Sequence, residues 1–341
     1  MAAHGKREKH VDIKRTPRWR RILKKTAVAV GGLVLSAALI GFVVQYRRDA
    51  AFLSEHPAPG SFATVDGLQI HFRTSGAGDV TFVLEAGLGD YSGSWRTLET
   101  SLAGIGRVFV YDRAGLGWSE ESPRPRTAPQ ITLELHRLLE EAHVPQPYLL
   151  VGHSSGGITQ TLYAMDYPDE VAGLLLIDPS HKDQFTKLPG PPALLGLVMT
   201  QISRTASFGL PQLVMGSSDP VVNQARHVRT SGAELRAVLN VAETWGNRSI
   251  DLGTTPIYVL SGDASDQFPG TSAAEKKAIL EIWQSLHADL VAASSSEIRK
   301  HEIVPGAAHY IYHTHPAVVI DAAREMLDRL KSGSRQARPR N

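Results

Sequence analysis

Tyr148-Leu149-Leu150-Val151-Gly152-His153-Ser154-Ser155-Gly156-Gly157 is the stretch around which the chain is organised. Its first four residues form a short apolar run that reads as a buried strand. Gly152 to Gly156 then spell G-x-S-x-G, and an amphipathic helical pattern (Ile158, Thr161, Leu162, Met165) begins at once. A serine between a buried strand and a helix sits at the apex of a strained turn, where neighbouring side chains must be nearly absent. Glycines at 152 and 156 meet that demand, and Gly157 adds room. Ser154 is therefore the candidate nucleophile.

Outward from this turn, the 341 residues divide by charge. The net formal charge is only +2, but residues 1–49 carry a balance of +9 and the remainder −7. The basic character thus belongs to the N-terminus, and the main domain offers no basic surface for nucleic acid. Cysteine is absent, which excludes disulfides, thiolate metal sites and thiol catalysis. Lys6 to Lys25 holds ten basic residues against Glu8 and Asp12; Thr26 to Val44 follows with nineteen uncharged residues, closed by Arg47 and Arg48. As a helix this run spans roughly 28 Å, close to the hydrocarbon thickness of a bilayer. A secretory signal has a shorter apolar region and a small-residue cleavage site, so an uncleaved signal anchor over 26–46 is expected, with a cleaved signal as the alternative. Basic residues preceding the span predict a cytoplasmic N-terminus (1–25) and a main domain outside the cytoplasm. Gly32/Ser36 and Ala37/Gly41 are small pairs suited to a helix partner.

Residues 47–61, with Pro57 and Pro59, read as a linker. Phe62–Val65 and Leu68–Arg73 flank Asp66-Gly67, the favoured dipeptide of a type I′ hairpin. Strands and helices then alternate: strands over 81–85, 107–111, 148–151 and 171–177, helices over 95–102 and 132–142. This pattern predicts a mostly parallel sheet covered on both faces. From His181 to Thr254 the alternation stops and helical patterns take over, so 181–254 is expected to be an inserted helical cap on a core formed by 62–180 and 255–330. Its apolar stretch from Pro189 to Met215 either roofs a pocket for acyl chains or packs the cap itself. Strand and helix resume over 257–260, 273–290, 302–304 and 316–330, before a basic tail, 331–341.

A serine hydroxyl needs a base during attack, and the base needs a carboxylate to hold its tautomer. His309, after the last strand, is the candidate base; His313 and His315 are nearby competitors. For the acid, Asp266 is preferred and Asp263 is the alternative, both after the strand ending at Gly262. Asp178, also at a strand end, is a third candidate. The oxyanion of an acyl-transfer intermediate needs preorganised N–H donors, expected from the backbone of Ser155 and of Leu88 in Ala86-Gly87-Leu88-Gly89.

The segments GLG (87–89), DRAGLGWS (112–119), GHSSGG (152–157), SGDASD (261–266) and PGAAH (305–309) together resemble the α/β-hydrolase superfamily, in its serine-nucleophile, esterase- and lipase-like branch. The resemblance covers residues 62–330. It implies an eight-stranded sheet, a cap after the sixth strand, no metal or organic cofactor, and a structural role for the 112–119 loop. Two departures stand out: Glu85-Ala86-Gly87 replaces the His-Gly of many relatives, and Gly262 lies one residue farther from Asp266 than usual. Relatives that dehalogenate or open epoxides carry aspartate at the elbow, so serine points to acyl transfer. The expected activity is carboxylic ester hydrolysis on a small or lipid-like ester. C–C bond hydrolysis, aminopeptidase action, cofactor-free peroxidation and non-catalytic binding are the alternatives.

Overall fold

In a computed structural model of the protein, residues 18–188, 193–264 and 272–336 are described. The chain starts with helix α1 (Arg18–Glu55) and a hairpin, β1 (Ser61–Val65) and β2 (Leu68–Ser75). β3 (Thr81–Glu85), α2 (Arg96–Leu102), β4 (Arg107–Tyr111), α3 (Ala128–Glu141), β5 (Tyr148–His153), α4 (Ser155–Asp166) and β6 (Val171–Ile177) follow in alternation. Five helices then intervene: α5 (Gln184–Lys187), α6 (Ala193–Arg204), α7 (Leu210–Met215), α8 (Ala225–Leu239) and α9 (Val241–Trp245). β7 (Ile257–Gly262), α10 (Ala273–Ala292), β8 (Arg299–Val304), α11 (Ile311–Thr314) and α12 (Pro316–Gln336) complete the fold.

The eight strands form one sheet in the order β1-β2-β4-β3-β5-β6-β7-β8. β1 and β2, and β2 and β4, pair antiparallel; all other neighbours are parallel. The central strands are apolar along their whole length because both faces are covered. Alternate residues serve opposite layers. Phe82, Leu84, Leu149, Val151, Leu175, Ile177, Tyr258 and Leu260 pack with α2 and α12. Val83, Leu150, Leu174, Leu176, Ile257 and Val259 pack with α3, α4 and α10. Full burial of each such side chain contributes about 1.5–3 kcal/mol.

The carboxyl ends of the parallel strands share one edge, and the chemistry-bearing loops after β3, β4, β5, β6, β7 and β8 gather there. The helices between β6 and β7 fold onto this edge. His227 of α8 meets the carbonyl of Gly89 at 2.8 Å, and the Tyr91 hydroxyl donates to Asp219 at 2.6 Å.

Two boundaries differ from the sequence expectation. The apolar helix does not give way to a linker at Arg47 but continues to Glu55. Nothing before Pro57 breaks a helix, and Phe52 is buried against Trp118 and Val221, which holds the last turns in place. Likewise α12 extends to Gln336, so the tail expected from residue 331 begins as helix; no proline interrupts it before Pro339.

Candidate active site

Ser154 follows β5 with φ 52° and ψ −125°, a left-handed backbone that costs a non-glycine residue of order 1–3 kcal/mol. The cost is borne because the flanks are pinned. Ser154 N–H donates to Ile177 O at 3.3 Å, and Ser154 O accepts from Gly157 at 2.9 Å and from Ser180 at 2.8 Å. A Cβ at Gly156 would stand 2.5 Å from Glu85 O, which explains the glycine at that position. The strained turn lifts the hydroxyl out of the sheet edge.

His309 meets that hydroxyl. Its Nε2 lies 2.9 Å from Ser154 Oγ, and its Nδ1 lies 2.6 Å from Asp178 Oδ2. The other Asp178 oxygen accepts from Gly262 N–H and from Trp283 Nε1–H, each at 3.1 Å. Asp178 is fully buried. Burial alone would raise its pKa, but the hydrogen bonds from His309 and Gly262 outweigh it and hold the carboxyl below its ordinary value. With an ionised carboxylate on Nδ1–H, the lone pair of Nε2 faces Ser154, the tautomer a general base needs.

The carboxylate that the structure sets against His309 is Asp178, not Asp266 or Asp263. Asp263 Oδ1 instead accepts the Gly306 N–H at 2.6 Å and ties down the loop that carries His309. Asp266 lies outside the described residues, and the imidazole nitrogen it was expected to engage is held by Asp178. The reason is strand order. β6 directly neighbours β5, with His153 opposite Ile177, so the residues after these strands, Ser154 and Asp178, emerge side by side. β7 lies one strand farther away. His313 stacks on Tyr310 at 5.5 Å, and His315 bonds to Thr314 at 2.9 Å; neither makes a bond to Ser154.

His153, the variable residue of the motif, is buried beneath the site. It bonds through Nε2 to His309 O at 3.1 Å and packs its ring 4.6 Å from that of His309. Burial, with the nearby His309, depresses its pKa to about 3. It is thus a neutral support for the base.

The loop after β3 borders the serine: a Cβ on Gly87 would lie 3.3 Å from Ser154 Cβ. Ser155 opens α4 directly after Ser154, where a first-turn N–H has no partner within the helix, and Leu88 lies in the loop after β3. Arg113, in the 112–119 loop, holds this arrangement. Its guanidinium donates to Ala86 O and Gly87 O at 2.7 Å each. It also pairs with Glu85 at 2.7 Å and with Glu234 of α8 at 2.7 Å, while Glu234 accepts the Gly89 N–H at 3.2 Å. One cation faces two buried carboxylates. Burial raises Glu85, which also takes a hydrogen bond from Tyr111; in Glu234 burial is outweighed by the Arg113 charge and the pKa falls. Arg113 lies in the DRAGLGWS segment, but nothing in the sequence pairs it with Glu234, which stands 121 positions away. The rest of the loop is structural, as the resemblance implied: Asp112 binds His71 at 2.8 Å and the N–H groups of Ser92 and Trp118, and Ser119 donates to Asp112 O.

A cavity of about 310 Å³ adjoins the β3 loop. Leu88 and Gly89 form its floor, and Met199, Ile202, Val228 and Leu235 supply apolar walls from α6 and α8. In the described part of the 189–215 stretch, Met199 and Ile202 line this cavity, whereas Leu197, Leu210 and Leu213 are exposed and so do not pack the insert. Among the described residues no group of three or more His, Asp or Glu is arranged to hold a metal ion.

Residues 82–322 match the family model described as the alpha/beta hydrolase family. The chain belongs to that family. This hydrolase is 30% identical over 260 residues to the protein YqjL of Bacillus subtilis (strain 168), covering 75% of this chain and 87% of the relative. Its fold is similar to that of the Cif epoxide hydrolase from Acinetobacter nosocomialis, with a TM-score of 0.62 at 14% identity over 84% of this chain and 96% of that one. A thermophilic esterase from Thermogutta terrifontis superposes with a TM-score of 0.54 at 20% identity, over 79% and 98% of the two chains. At such identities these structures speak to the fold alone.

Proposed function

We propose that this hydrolase is a serine esterase held at a membrane by α1. The observation that carries the reading is the unbroken path from Asp178 through His309 to Ser154, with contacts of 2.6 and 2.9 Å. In this mechanism Ser154 Oγ attacks the ester carbonyl while His309 Nε2 takes its proton. Asp178 stabilises the imidazolium and keeps Nδ1 protonated. The carbonyl oxygen, now anionic, is received by the N–H groups of Leu88 and Ser155. His309 returns the proton to the departing alcohol, leaving an acyl group on Ser154. Water then repeats the sequence and releases the acid. The largely apolar walls of the adjoining cavity suit an apolar acyl group.

Anchorage rests on composition and exposure. α1 is the one helix among the described residues long and apolar enough to cross a membrane, and residues 26–44 are almost wholly exposed on the protein. The basic flank orients the N-terminus to the cytoplasm and the hydrolase domain to the far side. A C-terminal reporter active only in the cytoplasm would refute that orientation.

The test of the chemistry is labelling with a fluorophosphonate probe. Wild type is expected to label and Ser154→Ala to remain blank. Equal labelling of the two, or none of either, would sink the serine-esterase reading.

A further inference from the structure

α1 does more than tether the domain; it fixes the height of the helical insert relative to a bilayer. Gly41 packs against the 3-10 turn Ala206–Phe208 so closely that a Cβ there would lie 2.3 Å from Phe208 O. The rings of Phe42 and Phe208 stand 6.2 Å apart. One turn later Gln45 is buried and donates to Asn223 O at 3.1 Å and to Asp49 at 2.8 Å, while Asp49 accepts the Ala225 N–H at 3.2 Å. Gly31 and Gly32, by contrast, have nothing within 4 Å. The helix is thus free over its apolar length and docked on the insert at its end.

This docking sets a depth. Phe42 lies two residues before the end of the uncharged run at Val44, about 3 Å along the helix axis. Trp19 and Tyr46, both exposed, are separated by about 40 Å of helix, the spacing of the two interfacial belts of a membrane. Whatever sits beside Phe42 therefore sits at the boundary between acyl chains and headgroups. Beside it is Phe208, and α7 follows it with Leu210 and Leu213; the three are exposed by 41, 53 and 80%. Leu197 on α6 is 57% exposed as well. Isolated apolar residues on a surface need no explanation, but several on the helices that flank a turn docked on a membrane span do. The helices that carry this surface, α6 and α7, also supply Met199, Ile202, Pro211 and Gln212 to the cavity that adjoins Leu88 and Gly89.

We infer that the outer surface of α6, the 206–208 turn and α7 is a lipid-binding face, and that the substrate is a lipid-like ester reaching the cavity from the bilayer. The inference rests on the reading of α1 as an anchor and of Ser154 as an esterase nucleophile. It adds which part of the insert enters the membrane and from which phase the substrate comes.

The chain has no cysteine, so single nitroxide labels can be placed on the full-length protein in phosphatidylcholine–phosphatidylglycerol vesicles. A label at Leu213→Cys is expected to collide with oxygen and to be shielded from an aqueous nickel chelate; one at Lys277→Cys on α10 is expected to do the reverse. Leu210→Glu with Leu213→Glu is expected to lower turnover of a long-chain ester presented in vesicles at least tenfold. Turnover of a water-soluble short-chain ester is expected to stay within twofold of wild type. A protein that floats with vesicles while position 213 reads as aqueous would overturn the lipid-binding face and leave the anchor standing. A double variant that floats and turns over the vesicle ester as wild type does would overturn the route of the substrate. Failure of the wild type to float, or to turn over either ester, would instead remove the anchor or the esterase reading, and this inference with it.

Discussion

The loops after β6 and β7 each present an aspartate at the end of an apolar strand, yet the two carboxylates live in different physical worlds. Asp178 is fully buried and accepts hydrogen bonds from an imidazole, a backbone amide and an indole. Asp263 is partly exposed and, among the described residues, accepts from the amide of Gly306. A buried ionised carboxylate is tolerated only where several donors replace the lost water, and those donors also fix its position. In the proposed mechanism the two do different work: the first carboxylate would aim His309, and the second holds the loop that carries it.

The largest effect that tests this division is at Asp178. Asp178→Asn keeps the shape but lets an amide occupy the Nδ1 side of His309, favouring the wrong tautomer. Steady-state kinetics are expected to show kcat lower by on the order of 10³–10⁴-fold. Asp263→Asn in the same assay is expected to remain within a few-fold of wild type, and the opposite ranking would reverse the assignment.

Next in size is the support behind Asp178. Trp283→Phe removes one donor to a charged acceptor, worth about 1.5–3 kcal/mol. Chemical denaturation is expected to register most of that loss.

A third expectation concerns pH and the buried histidines. Burial depresses His287, beside Asp178, to about 4, and His153 to about 3. Their ordinary value, about 6.5, applies once the chain unfolds. Between pH 6.5 and 4 the unfolded chain thus binds more protons than the folded one, and stability falls as pH falls. Each histidine contributes on the order of 1 kcal/mol per pH unit in the lower part of that window. Asp178, depressed in the folded state, adds a further loss only below its own unfolded value, near pH 4. A thermal midpoint that stays level from pH 6.5 to 5 would contradict the neutral burial of these rings.

The smallest effect belongs to the β7 loop. Asp263→Ala removes one partly exposed hydrogen bond to Gly306, and a stability loss of about 1 kcal/mol is expected by denaturation. A much larger loss would mean that Asp263 carries more of the site than its bond to Gly306 suggests.

Much of this could be read from residues alone. The elbow around Ser154, the position of His309 after the last strand and the alternation of strands and helices are all local patterns. Even the apolar run of α1 and its basic flank are local. Asp178 had a signal too: an ionisable group directly after Val171–Ile177, a strand otherwise apolar, implies a buried partner. That signal was outweighed because Asp263 and Asp266 also follow a strand, and sequence order does not say which strand lies beside β5. Arg113 offered no such signal, since both the carbonyls it grips and Glu234 are remote in sequence.

By itself, then, the sequence determined the elements that repeat a period and the residues whose chemistry needs a local backbone: the strands, the strained serine, the glycines around it and the uncharged span. Strand order, the choice among three aspartates, the Arg113 bridge to α8 and the docking of Phe208 on Gly41 were decided only in three dimensions. The physical reason is range. Backbone strain and hydrophobic periodicity act over a few residues, whereas the value of a buried charge or an apolar surface depends on which distant groups the fold brings within hydrogen-bonding or van der Waals reach.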